Sequence, residues 1–142
     1  MTTLRTLSLS ALVLALALAG CASGGGAPKQ VTTEATMSNK GLANLQLAQN
    51  YLRVGKLDLA MDRANRALRH DPESADVQIV LGMIRQSLDD EARAGEHFAR
   101  AVKLAPESGH VLNVRGAWLC EQGQADEADA LFARAVRDPF YE

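Results

Sequence analysis

Three stretches line up when the chain is read in steps of 34 residues: AMDRANRALRHDP (60–72), AGEHFARAVKLAP (94–106) and ADALFARAVRDPF (128–140). Ala60, Ala94 and Ala128 form one column. Ala67, Ala101 and Ala135 form another, each preceded by an arginine: Arg66, Arg100 or Arg134. Asp71-Pro72 and Ala105-Pro106 close the first two stretches at the same interval. Each stretch reads as a helix that proline stops, because proline lacks the backbone donor and clashes with the preceding turn. On either side of these stretches, Leu47 aligns with Leu81, Ala48 with Gly82 and Gly116, and Phe98 with Phe132. Gly55 and Gly123 match across two periods, with Asp89 between them. Chance matches in an alanine-rich chain would not keep at least five columns in one phase and also repeat a proline.

A 34-residue period with these contents resembles the tetratricopeptide repeat, a helix–turn–helix unit. The fold class expected is all-α, a right-handed superhelical solenoid of about three repeats (41–74, 75–108 and 109–141) within a domain over 39–141. Helices are expected near 41–54, 57–70, 75–88, 91–104, 109–121 and 125–137. Small residues at Ala48, Gly82 and Gly116 let the first helix of each pair approach the second. The alanine columns keep the second helix thin where it meets its neighbours. Gly55 and Gly123 suit the left-handed residue that ends the first helix. Composition agrees, since 4% aromatics with abundant alanine and leucine favour close-packed helices over a sheet.

Before the repeats lies a different kind of sequence. Met1 to Thr6 is polar and carries Arg5, Leu7 to Leu18 is apolar, and Leu18-Ala19-Gly20 leads into Cys21. This order describes an export signal over 1–20, and its apolar run is shorter than the roughly 20 residues a spanning helix needs. Leu18-Ala19-Gly20-Cys21 looks like a lipobox, and that resemblance implies acylation of the Cys21 sulfur. Several acyl chains hold a protein firmly on a membrane. Ala22 follows Cys21 in place of an aspartate, which by resemblance implies the outer membrane. Residues 21–38, with Gly24-Gly25-Gly26 and Pro28, read as the lipid site and a flexible tether, whose coil spans roughly 20–25 Å.

Without Arg5 the chain carries 14 basic and 17 acidic residues, and no basic stripe points to nucleic acid. No catalytic, metal-binding or cofactor-binding constellation is present, and no small-molecule substrate is indicated. His70, His97 and His110 stand on separate elements and read as surface residues. Asp89-Asp90-Glu91 sits where a helix begins, and negative charge there suits the helix dipole. The expected reading is a non-enzymatic binding protein.

In the tetratricopeptide pattern the second, fifth, ninth and twelfth positions face the concave side. Here these are Leu42, Leu45, Gln49 and Leu52, then Asp76, Ile79, Met83 and Gln86, then His110, Asn113, Ala117 and Cys120. The protein-binding groove is assigned to Leu45, Gln49, Leu52, Ile79, Met83, Gln86, Asn113 and Ala117. Apolar residues on a solvated groove suggest a binding surface, and methionine adapts to varied partners. The alternative is that Leu42, Leu45 and Leu52 complete the core or lie under the tether.

The third repeat reads Asn113-Val114-Arg115-Gly116-Ala117-Trp118-Leu119-Cys120-Glu121-Gln122-Gly123, and it closes with Phe132-Ala133-Arg134-Ala135 and Asp138-Pro139-Phe140-Tyr141. With the lipobox, this resembles the type IV pilus biogenesis/stability lipoprotein family, PilF/PilW. The resemblance implies a pilotin-like, non-catalytic protein facing the periplasm from the outer membrane. Its partner would be the pilus secretin. A different lipoprotein adaptor, serving peptidoglycan hydrolases or envelope-assembly factors, is the other reading of repeats and lipid alone. Two departures stand out. Arg115 occupies the column of Leu47 and Leu81 and must snorkel or loosen the third repeat. The sequence ends at Glu142 where the family continues through more repeats, so the resemblance implies a shortened form or a partner over Leu131, Phe132, Val136, Phe140 and Tyr141. The family pairs the cysteine equivalent to Cys120 with one in the next repeat. Cys120 is therefore expected as a free or intermolecular thiol.

Overall fold

The computed structural model describes residues 36–141. The expected export signal, the lipidated Cys21 and most of the tether lie outside them. Six helices follow one another: α1 (Asn39–Arg53), α2 (Leu57–His70), α3 (Ala75–Gln86), α4 (Glu91–Leu104), α5 (Gly109–Glu121) and α6 (Ala125–Ala135). There is no strand among the described residues. The odd-numbered helices are the first members of antiparallel hairpins and the even-numbered ones the second. Each packs chiefly on its hairpin partner, and the second helix of one hairpin packs next on the first helix of the following one, giving a tetratricopeptide-type solenoid.

Local chemistry sets the helix ends. Ser38, Ser74 and Ser108 cap the odd-numbered helices, each Oγ accepting from a backbone N–H three residues on: Gly41, Val77 and Val111. Asp90 caps α4 in the same way, accepting from Arg93 N–H. The hairpin turns use left-handed residues at Gly55 (φ 72°), Asp89 (φ 57°) and Gly123 (φ 76°), one per repeat and in one column. Asp71 and Ala105 leave helical geometry just before Pro72 and Pro106. Helices α3 and α6 each stop two residues before their expected ends.

The core follows the columns with one substitution of volume. A Cβ on Gly82 would lie 2.6 Å from the Phe98 ring, and one on Gly116 would lie 2.6 Å from Phe132. One period earlier the same pair is Ala48 and Ala64, both fully buried. A small residue under an aromatic is exchanged for two alanines, which keeps helix separation with less bulk.

Burial corrects several expectations. The Leu47–Leu81–Arg115 column is core only at Leu81, while Leu47 is exposed because no helix among the described residues precedes α1. Arg115 is half-buried and donates from its guanidinium to the Gly95 carbonyl on α4 at 3.3 Å, so it snorkels across the repeat boundary. His97 is half-buried as well, its Nδ1 2.8 Å from Oε1 of the fully buried Gln78, unlike the exposed His70 and His110. At the last helix Val136 is 75% exposed and Phe140 94% exposed. Phe132 and Tyr141 are instead half-buried, over Gly116 and Gly109.

Candidate functional site

A cleft of about 680 Å³ opens among the odd-numbered helices. Its lining shifts steadily along the solenoid: Gln49, Leu52 and Arg53 from the last turns of α1, Asp76, Ile79, Val80 and Met83 from the first three turns of α3, and Ser108, His110 and Val114 around the start of α5. The cleft therefore crosses the three helices on a diagonal. Its floor is aliphatic, from Leu52, Ile79, Val80, Met83 and Val114, with the charged Arg53 from the end of α1 and Asp76 from the start of α3. A volume of this size with an apolar floor and few polar groups suits the docking of one or two side chains of a larger partner.

The pattern-based groove is brought together in part. Gln49, Leu52, Ile79 and Met83 line the cleft, and so do Asp76 and His110. Leu45 does not: it is 0% exposed and belongs to the core with Ala48, Ala60 and Ala64. The reason is the side of the helix it occupies, where α2 and α3 close over it. Gln86 is diverted, its amide donating to the Glu121 carboxylate across the ends of α3 and α5. Asn113 is half-buried and Ala117 exposed, and neither lines the cleft. Cys120, one turn beyond Ala117, is an exposed free thiol.

Four lining residues fall outside the pattern: Arg53, Val80, Ser108 and Val114. Val80 and Val114 stand one period apart, just beyond Ile79 and Asn113. The pattern marks the centre of the concave face, whereas a cleft between two helices is lined by residues on the flanks of that stripe. A shared apolar column at 80 and 114 is the signal in the sequence that could have found them.

Polar bonds at the start of α4 and the end of α5 hold the second and third repeats together. Glu91 accepts from the Trp118 indole N–H at 2.8 Å and from the Gln122 amide at 3.0 Å. Two buried donors, Gln78 Nε2 and Arg85 Nε, have no partner among the described residues. Burial, with the Arg85 and Arg100 charges, holds His97 below its ordinary pKa against the opposing pull of Glu96 and Asp90. At the far end the N–H groups of Gly109 and Phe140 hold Asp138 below the usual carboxylate range. No group of three or more His, Cys, Asp or Glu side chains able to hold a metal occurs among the described residues. No helix there is long and apolar enough to cross a membrane.

No protein-family model matches the chain. The type IV pilus assembly protein PilF of Pseudomonas aeruginosa is 30% identical over 129 residues, covering 91% of this chain and 51% of PilF. The chain thus spans about half the length of that relative. The solved structure of P. aeruginosa PilF superposes with a TM-score of 0.69, covering 72% of this chain and 46% of that one. The crystal structure of PilW, a widely conserved type IV pilus biogenesis factor, superposes with a TM-score of 0.70 at 30% identity, covering 73% and 48%. The second tetratricopeptide domain of Spaghetti (RPAP3), solved with an HSP90 peptide, shares the fold at 16% identity and a TM-score of 0.61, covering 70% and 93%. By sequence and by fold alike, this chain is a homologue of PilF and a member of the type IV pilus biogenesis tetratricopeptide-repeat family that PilF and PilW represent.

Proposed function

We propose that this chain is a lipid-anchored, non-catalytic adaptor of type IV pilus biogenesis, held at the outer membrane through Cys21 and facing the periplasm. Its cleft would receive a segment of the pilus secretin and so assist that protein's placement and assembly. The observation that carries the reading is an open, apolar-floored cleft on a chain related to PilF. The Leu18-Ala19-Gly20-Cys21 sequence supports the anchor. An anchor concentrates an adaptor where its partner is inserted, and effective concentration of this kind raises occupancy without any new contact.

Met83 gives the cleanest test, because it lines the cleft yet is 42% exposed. Met83→Glu places a charge on the apolar floor without emptying the core. The expected outcome is loss of secretin from pull-downs and loss of assembled secretin rings in cells, with the melting temperature unchanged. Normal ring assembly and twitching motility in cells carrying that variant, or lacking the gene altogether, would remove the proposal. Recovery of peptidoglycan hydrolases in place of secretin would move it to another envelope machine.

A further inference from the structure

The even-numbered helices all end at one edge of the solenoid, and their last turns carry a second periodic feature. Arg66 and Arg69 on α2 recur 34 residues later as Arg100 and Lys103 on α4, and again as Arg134 on α6 and Arg137 just beyond its end. All but the half-buried Arg134 are exposed. Arg66 pairs with Asp62 at 3.0 Å, and Arg134 donates to the Pro106 carbonyl and lies 3.8 Å from Glu107. Arg69, Lys103 and Arg134 stand in last turns and complement the helix dipoles, while Arg66 and Arg100 lie one turn earlier and Arg137 lies beyond α6, where the dipole alone does not call for them.

The opposite edge, where the hairpin turns lie, has the other sign. Asp58, Asp89, Asp90, Glu121, Asp126 and Glu127 cluster around Gly55, Asp89 and Gly123. Arg53, Lys56, Arg85 and Arg93 offset them only in part, and Arg85 and Arg93 are both bonded to Asp90. The molecule is polarised across its width although its net charge is small.

The chain joins the domain at the basic edge. Met37 is buried in the first core cluster and its sulfur accepts from Ser74 Oγ at 3.5 Å. The Asp71 carboxylate accepts from Ser38 N–H at 3.0 Å and from Ser38 Oγ at 2.9 Å. The sequence leading back to Cys21 therefore departs from a fixed point beside the last turn of α2.

We propose that the basic ladder is a docking surface for anionic phospholipid headgroups, which turns this edge of the solenoid toward the membrane and the acidic edge away from it. The ladder's affinity stands on the charges alone. The orientation rests on the anchor reading above, because an acyl chain at Cys21 would deliver the same edge to the bilayer first. Asp71, Glu73, Glu107 and Asp138 share this edge and leave only a small positive excess, so attraction would be modest and would serve to orient a protein already held by its lipid.

The test has two arms. The chain without its leader and with Cys21→Ser is sedimented with vesicles of phosphatidylglycerol and phosphatidylethanolamine, and with phosphatidylcholine alone. Salt-sensitive binding to the anionic vesicles is expected, reduced about a hundredfold in R69Q/K103Q/R137Q and unchanged in K56Q/R63Q/R93Q, which removes the same charge elsewhere. Equal binding by the two triple variants, or no preference for anionic vesicles, would overturn the ladder. In the second arm the acylated chain, with Cys120→Ser, carries a fluorophore at Lys103→Cys or at Glu127→Cys in vesicles holding a headgroup quencher. Quenching at 103 and not at 127 is expected, and equal quenching overturns the orientation. Absence of acyl chains by mass spectrometry would sink the anchor reading and leave the outcome of the vesicle sedimentation intact.

Discussion

The junction between the first and second repeats and the junction between the second and third solve one packing problem in opposite ways. In the first, Met61 of α2 packs on a cluster that contains Ile84 of α3, aliphatic against aliphatic. One period on, these positions are Gly95 of α4 and Trp118 of α5. A Cβ on Gly95 would lie 2.5 Å from the indole, and Trp118 also meets Phe98 with ring centroids 5.9 Å apart. Bulk has moved from one helix to the other. The first junction can adjust, because methionine has many rotamers. The second is locked by shape and by the bonds from Glu91 to Trp118 and Gln122. An adaptable joint and a fixed one therefore flank the second hairpin, which carries α3, the central helix of the cleft.

The largest expected effect comes from Phe98, which supports both the Gly82 contact of its own hairpin and the Trp118 contact of the fixed junction. Phe98→Ala should cost about 3–5 kcal/mol, the range for emptying an aromatic site in a core. Met61→Ala, at a half-buried position of the adaptable junction, should cost less than half of that, about 1–2 kcal/mol. Urea midpoints of the two variants measure the contrast. If Met61→Ala proved the more damaging, the assignment of which joint is rigid would be reversed.

Gly95→Ala adds a single methyl where no space exists and should cost about 1–3 kcal/mol through overpacking. Trp118 is the sole tryptophan of the chain, so its fluorescence reports the displacement directly. A red-shifted emission with the remainder of the helix signal intact is expected. Gly95→Ala with Trp118→Leu should recover part of the loss, since contacting residues do not act additively. Unchanged emission in the single variant would show that the indole does not rest on Gly95.

Much of this contrast is legible in the letters, and some is not. The 34-residue columns locate the hairpins because proline, a left-handed turn residue and small residues each have a local backbone cause. Which junction residue carries the bulk stays hidden, because Gly95 and Trp118 lie 23 positions apart and neither breaks the repeat pattern. The cleft is half legible. Helix position alone assigns Ile79 and Met83 to it, but Leu45 goes to the core because burial depends on what lies across from a residue, and Gln86 is taken by Glu121. His97 reads as a surface histidine for the same reason, since its partner Gln78 is on another helix. The tie behind the N-terminal cap is equally hidden, as Ser38 and Asp71 stand 33 residues apart.

That tie sets the next expected effect. Asp71→Ala removes the acceptor for Ser38 N–H and Oγ, leaves the Ser38 cap of α1 in place, and should cost about 1 kcal/mol, the usual net scale for a lost hydrogen bond. It should also loosen Met37 beside the adaptable junction, so hydrogen exchange at the start of α1 should speed up while that of α5 does not. Equal acceleration in both helices would mean that the two junctions respond as one body and that the distinction between them fails.

The smallest effect is one of pH, and it belongs to the hairpin that both joints share. His97 sits below its ordinary value of 6.5 because burial, Arg85 and Arg100 disfavour the imidazolium in the folded domain more than Glu96 and Asp90 favour it. Between that lowered value and 6.5 the unfolded chain binds more protons at this site than the folded one. Stability from the neutral ring is therefore complete above pH 6.5 and is lost as pH falls through the lowered value. The ring's tie to Gln78 gives the neutral form a place in the hairpin that a cation would occupy at the expense of desolvation. Urea midpoints followed downward from pH 8 to about 5, above the range in which most carboxylates titrate, should decline in the wild type and decline less in His97→Gln. Parallel profiles for the two proteins would place the pH response elsewhere, and Gln78 would then be only a spacer between α3 and α4.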